Sequence, residues 1–230
     1  MRARIAGLAV VALIVGCTNQ SQTPQVPATP TSLAKADGSA PATGTPDAGA
    51  PNRATTPEKF DVGDSAPAFE GLIGIDDQQH SLKDYADAKA VVVAFICNHC
   101  PVAQAYEDRL IALHEDYAGK GVQLVAINVN NLEDDKLPAM KERAEEKGFL
   151  FPYLYDPTQK AGRDYGAAVT PHIFLLDGQR HLAYIGAVDD NQDEANVTKQ
   201  YLRDAVDAVL AGNSPETTDV EPLGCSIKYE

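Results

Sequence analysis

The sequence predicts an α/β domain, a central mixed sheet flanked by helices with an extra hairpin on its N-terminal side, and three observations carry that reading. Ala90 to Ile96 is an unbroken apolar run with three valines and an isoleucine, as expected of a strand buried on both faces. Val102, Tyr106, Leu110, Leu113 and Tyr117 then recur at spacings of four, four, three and four, which is one face of a helix. Val122 to Ile127 repeats the apolar run, and Leu137 to Lys147 reads as a second helix. Such alternation predicts parallel strands joined by helical crossovers.

The remaining elements follow in order. Phe69 to Leu82 sets Asp76-Asp77 between short apolar stretches and predicts a hairpin before the core strand. Thr158 to Tyr165 reads as a short third helix. His172 to Leu176 and His181 to Ile185 flank Asp177-Gly178, a second hairpin signal. Leu202, Ala205, Val206, Val209 and Leu210 mark a closing helix, and no internal repeat is visible.

Both ends of the chain differ from this middle. Arg2 and Arg4 precede an apolar stretch, Ile5 to Gly16, which reads as a secretory leader over residues 1–16. A helix of that length rises only about 18 Å, short of the roughly 30 Å hydrocarbon core. Ile14-Val15-Gly16-Cys17 resembles the lipobox of bacterial lipoproteins, which implies that Cys17 is lipidated and becomes the new N-terminus. From there to Pro57 the chain is mostly Pro, Thr, Ala, Gly, Ser and Gln without an aromatic residue, so residues 17–57 are expected to form a disordered tether, with the domain at 58–230. The formal charge of −14, from 33 acidic and 19 basic side chains, argues against nucleic acid as a partner. Membrane attachment would come from the lipid and not from a basic face.

Cys97-Asn98-His99-Cys100 lies where the first core strand exits and the first long helix begins. Unpaired backbone N–H groups and the positive end of the helix dipole favour thiolate over thiol there, so a lowered pKa is expected at Cys97. His99, when protonated, would add positive charge beside it, and Pro101 suits the first helical turn. Cys225 is left over. It is either a third redox thiol that captures Cys97 or Cys100, or a buried thiol in a tail packed on the domain. The second reading is the one taken, so Cys225→Ser is expected to do little. His80, His114 and His181 read as surface or turn residues, and Asp134-Asp135 and Asp189-Asp190 as solvated loops or helix starts.

A strand, C-x-x-C, a helix, and then Val169-Thr170-Pro171 before another strand resemble the thioredoxin-like redoxins, and among them the membrane-tethered AhpC/TSA-type bacterial family. The likeness covers about residues 60 to 228, including Phe95 to Pro101, Tyr106 to Leu110 and the tail Gly224-Cys225-Ser226-Ile227-Lys228. It implies a thioredoxin fold and a thiol-disulfide oxidoreductase with no cofactor. By the same resemblance Cys97 attacks, Cys100 resolves the mixed disulfide, and Pro171 is a cis-proline facing the sulfurs. Thr170 before it would offer backbone groups to an extended substrate strand. Expected partners are protein or small-molecule thiols and disulfides and a membrane or periplasmic redox protein. The expected place is the cell envelope, lipid-anchored, with the domain facing the periplasm or exterior. Two departures leave the direction open: Ile96 stands where thioredoxin has tryptophan, and Asn98-His99 replaces Gly-Pro.

Three other chemistries compete. A structural zinc site would need a second C-x-x-C, which is missing. A copper chaperone on this fold would pair two cysteines with His172, although such chaperones space their cysteines more widely. A thiol peroxidase would need P-x-x-x-T-x-x-C, and the places for threonine and proline hold Ala94 and Ala90 counted back from Cys97, or Cys97 and Val93 counted back from Cys100.

Overall fold

The computed structural model describes residues 60–230; the expected leader, Cys17 and the tether lie outside the described residues. Strands β1 (Leu72–Gly74) and β2 (Gln79–His80) pair antiparallel ahead of β3 (Ala90–Phe95). Helix α1 (Pro101–Tyr117) leads to β4 (Val122–Asn128), and α2 (Leu137–Lys147) to β5 (Tyr153–Tyr155). Then come α3 (Lys160–Tyr165), β6 (Val169–Thr170), β7 (His172–Leu176), β8 (Leu182–Gly186), α4 (Tyr201–Leu210) and β9 (Cys225–Ser226).

The main sheet runs β2-β1-β5-β4-β3-β7-β8, with β3, β4 and β5 parallel and β7, β8 and β1 antiparallel to their neighbours. It is therefore mixed, as expected. Helices α1 and α2 are the crossovers that parallel pairing requires. The period-two side-chain alternation of β3 and β4 divides the core in two. Val92, Ala94, Leu124 and Ala126 pack with Leu110 of α1, Met140 of α2 and Leu202 of α4. Val91, Val93, Phe95, Val125 and Ile127 pack on the other face with Phe174, Ala161 and Tyr165 of α3 and Ile227 of the tail. Both faces being covered, the sequence of β3 reads as continuous hydrophobicity.

Three short strands, β5, β6 and β9, escaped the sequence reading. β5 has three residues, and β6 pairs only with β9, in the register Val169↔Ser226 and Thr170↔Cys225. Elements this brief carry no periodicity to detect. The third helix begins at Lys160, two residues later than expected, because Asp156 and Thr158 form the turn that precedes it: Thr158 donates its N–H to Asp156 Oδ1 at 3.0 Å. The Asp189-Asp190 expectation is corrected in its first half. Asp189 is 6% exposed and accepts from Arg109 Nη1 at 2.5 Å, a paired charge rather than a solvated one.

The tail is fastened closely to this frame. A Cβ built on Gly224 would stand 2.2 Å from the Thr170 carbonyl oxygen, so only glycine lets the tail lie against β6. Gly224→Ala is expected to lower stability by about 1–3 kcal/mol. Urea unfolding checks this, and an unchanged midpoint would mean that the tail does not pack in this way.

Candidate functional site

Strand β3 delivers Ile96 and Cys97 to the end of the sheet, and the chain must turn at once to enter α1. Cys100 is the N-cap of that helix, with φ −83° and ψ 115°, and its Sγ lies 3.4 Å from the Ala103 N–H, which donates to it. Pro101 takes the first helical position, where a missing N–H costs little. The loop between the two cysteines is held from beneath by Asp135. Its Oδ1 accepts the N–H groups of Asn98, at 2.8 Å, and His99, at 3.3 Å, while Oδ2 pairs with His99 Nδ1. Asn98 Nδ2 donates to the Asp134 carbonyl at 2.8 Å, and Tyr153 Oη donates to Asn98 Oδ1 at 3.0 Å. Asn128 Nδ2 completes the network with bonds to Tyr153 Oη and to the Asp135 carbonyl, each 3.2 Å.

Asp135 is fully buried, which corrects the expectation of a solvated loop at Asp134-Asp135. A carboxylate withdrawn from water persists only when its oxygens are filled by donors, and here backbone and imidazole fill them. Sequence reasoning missed this residue. Its one signal was an acidic pair shortly after a buried strand, which resembles any surface turn.

Cys97 is 2% exposed and its Sγ sits 3.1 Å from Thr170 Oγ1. Burial pushes its thiol up to about 11, and the Asp135 carboxylate adds to the rise. The Thr170 hydroxyl and the N–H groups of Cys100 and His99 pull the other way without cancelling it. This corrects the expected depression. The helix begins four residues beyond Cys97, so the sulfur in the N-cap position, where the helix dipole acts most strongly, is that of Cys100.

The structure joins Cys100 to Cys225 in a disulfide, across 125 residues, with Cα atoms 5.9 Å apart. Cys97 is left as a free thiol. The reading of Cys225 as a leftover thiol is therefore corrected: it is bonded to the second cysteine of the C-x-x-C. Strand β9 places it, because pairing Thr170 with Cys225 sets that residue against Thr170, whose carbonyl oxygen is 3.3 Å from Cys100 Sγ. The Thr170–Pro171 peptide is cis. The β6 edge expected to receive a substrate strand is thus occupied by the chain's own tail.

His172 is not brought to the cysteines. It pairs with Phe95 across β3 and β7, its ring lies 4.6 Å from that of Phe174, and its Nδ1 accepts the Ala168 N–H at 3.3 Å. Burial lowers its pKa to about 4. Among the described residues, the side chains that could together hold a metal are those of Cys97, His99 and Asp135, whose ligand atoms lie within 4.8 Å of one another. The cysteine-pair-plus-His172 arrangement of the copper reading does not form.

Two predictions come from these environments. With the Cys100–Cys225 disulfide intact, alkylation of Cys97 by iodoacetamide is expected to be slow at pH 7 and to rise only towards pH 11. Asp135→Asn should move that rise to lower pH by removing a nearby negative charge, and mass-spectrometric alkylation rates check both. His172 has the opposite leverage. Its folded pKa of about 4 lies below the unfolded value of about 6.5, so its contribution to stability is full above the latter and is lost as pH falls towards the former. His172→Phe should flatten that part of the pH dependence of urea unfolding.

Comparison with known proteins agrees with the geometry. A family model described as Redoxin matches residues 61–202. The thiol-disulfide oxidoreductase ResA of Bacillus thuringiensis is 28% identical over 120 residues, 52% of this chain, and the chain spans only 66% of that relative's length. The solved structure of a hypothetical protein from Sinorhizobium meliloti matches with TM-score 0.70 and 38% identity over 74% of this chain and 95% of that one. A structure from Chlorobium tepidum described as a thiol:disulfide interchange protein DsbE matches with TM-score 0.50 and 25% identity, over 55% and 84%. With the strand order above, these likenesses make the fold a thioredoxin fold. The chain belongs to the Redoxin family, with Cys97, Cys100, Thr170 and Pro171 inside the matched segment and Cys225 beyond it.

Proposed function

We propose that the protein is a thiol-disulfide oxidoreductase of the bacterial cell envelope that works through Cys97 and Cys100. The observation that carries this reading is the convergence of both sulfurs on one residue. Cys97 Sγ lies 3.1 Å from the Thr170 hydroxyl, and Cys100 Sγ lies 3.3 Å from the Thr170 carbonyl, immediately before cis-Pro171. Exchange chemistry needs two sulfurs able to close a small ring and donors that hold negative charge on the sulfur that leaves. The Ala103 N–H serves Cys100 in this way. The Thr170 hydroxyl and the backbone N–H groups of the loop serve Cys97.

In the reducing direction, Cys97 gives up its proton and its sulfur attacks one sulfur of a substrate disulfide, whose other half departs as a thiolate. Cys100, freed from Cys225, then attacks the Cys97 sulfur, releases the second half and leaves Cys97 joined to Cys100. The same steps run backwards insert a disulfide. His99 sits on the loop between the sulfurs, fixed by Asp135, and its charge when protonated favours thiolate. Substrates are protein or small-molecule thiols and disulfides, reset by a membrane or periplasmic redox partner. The sequence of residues 1–57, with its apolar run ending at Cys17 and its Pro- and Thr-rich stretch, supports a lipid-anchored attachment to a membrane with the domain on its outer side. The names borne by the ResA and DsbE relatives support the activity.

Cys97→Ser is expected to slow the reaction of the fully reduced protein with oxidised glutathione about tenfold or more, measured by the initial rate at which glutathione thiol appears. The fully reduced protein should react with that disulfide faster than with hydrogen peroxide. A preference for peroxide would replace this reading with a peroxidase, and indifference to both would reject each of them.

A further inference from the structure

We propose that Cys225 is the redox residue at which thiols from outside meet this site, and that it passes the exchange inward to Cys100 and then to Cys97. The inference rests on the oxidoreductase reading and adds the route by which a partner reaches a buried pair. Two independent observations point to the same sulfur. The first is access: Cys97 is 2% exposed and Cys100 is fully buried, whereas Cys225, on the tail, is only partly buried against the core. An incoming thiolate must approach along the S–S axis, and of the two residues in the Cys100–Cys225 bond Cys225 is the one that is not fully buried.

The second is the leaving group. A disulfide breaks more readily at the sulfur whose partner departs as the better-stabilised thiolate. Cys100 Sγ accepts the Ala103 N–H at 3.4 Å in the N-cap position of α1, where unpaired N–H groups and the helix dipole favour negative charge. Cys225 sits at no helix terminus. Attack on Cys225 with departure of Cys100 is favoured by both access and charge.

The tail is held so that this exchange is repeatable. Ile227 is buried and donates its N–H to the Ala168 carbonyl at 2.9 Å, and Tyr229 Oη donates to the Ala167 carbonyl at 2.6 Å. Gln159 Nε2 donates to the Lys228 carbonyl at 2.8 Å, and its Oε1 accepts the Glu230 N–H at 2.7 Å. These bonds do not depend on the disulfide. When it opens, Cys225 stays opposite Thr170, within reach of Cys100. With the tail held by these bonds, the disulfide is free to act as a store of two oxidising equivalents.

The steps balance without another oxidant or reductant. A thiolate of a dithiol partner bonds to Cys225 Sγ; the Cys100–Cys225 bond breaks and its electron pair leaves on Cys100. The partner's second thiolate attacks its own bonded sulfur, the partner departs as a disulfide, and Cys225 takes a proton from water. In the other direction, the Cys97 and Cys100 thiols give up two electrons to a substrate disulfide and are left as the Cys97–Cys100 bond; the Cys225 thiolate then attacks Cys100, and Cys97 leaves as a thiolate that takes a proton from water. The new bond is Cys100–Cys225, and Cys97 is returned as a thiol, which is the state of the structure.

The test uses the full chain, oxidised at Cys100–Cys225, with reduced glutathione as the probe, an acid quench, alkylation and peptide mass mapping. Glutathione is expected on Cys225, with Cys100 alkylated, and glutathione on Cys100 or Cys97 would overturn the route. A second arm follows the fully reduced protein after one equivalent of oxidised glutathione. The Cys97–Cys100 bond should appear first and convert to Cys100–Cys225, and in Cys225→Ser it should persist and be reduced by glutathione about tenfold or more slowly than the wild-type disulfide. If that variant forms Cys97–Cys100 and is reduced at the wild-type rate, the role of Cys225 fails while the oxidoreductase reading stands. If no protein forms Cys97–Cys100, both fail together. Formation of that bond in Cys225→Ser also shows that the variant has folded.

Discussion

The buried carboxylate of Asp135 is the constraint on which the site is built. The chain between β3 and α1 has to reverse direction in five residues while carrying two sulfurs, and the amide groups of Asn98 and His99 have no strand or helix to satisfy them. Asp135 accepts from two of those amides and from the His99 ring, and the Asn98, Asn128 and Tyr153 side chains lock the loop to β4 and β5. Each of these groups is buried or half-buried, so none could be left unpaired without a cost of about 1–3 kcal/mol. Fixing the loop fixes the sulfurs. The same negative charge that secures the geometry also discourages a second one at Cys97.

That conflict separates the roles of the two cysteines. Cys97 lies in the shadow of the carboxylate and of burial, whereas Cys100 lies at the helix N-terminus. A thiol kept protonated is a poor nucleophile at rest, so the reactivity of the pair has to be switched on by a change at the site. Opening the Cys100–Cys225 bond is such a change, because it frees the sulfur of Cys100. The resting state is chemically quiet as a result.

Much of this was legible in the sequence where a residue's neighbours are local. Ala90 to Ile96 announced a doubly buried strand because a parallel strand covered on both faces has no polar side to show. The N-terminal position of Cys100-Pro101 was readable from the helix period that follows it. Cys225 was not, since its partner is 125 residues away and pairing at that distance leaves no periodic trace. Asp135 failed for the opposite reason. Its sequence context is that of an ordinary acidic turn, and only the tertiary arrival of two amides and an imidazole makes it the floor of the site. The lowered pKa expected at Cys97 rested on the helix N-terminus and on the charge of His99 and omitted burial, the larger effect.

The disulfide that results is thermodynamically secure and kinetically accessible, and these properties have separate origins. Closing a loop of 125 residues removes conformational freedom from the unfolded chain, worth about 5 kcal/mol in the loop-entropy account. The contacts that hold Ile227, Lys228 and Tyr229 also keep the two sulfurs together after reduction, which raises their effective concentration and favours re-oxidation. The second effect makes the bond harder to reduce in the folded protein, about 30 mV for each 1.4 kcal/mol. Neither affects how an attacking thiolate reaches sulfur. Rate is governed by exposure of Cys225 and by the departure of Cys100 into the amides of α1, so a bond that is stable at equilibrium can still exchange quickly with a partner of sufficiently low potential.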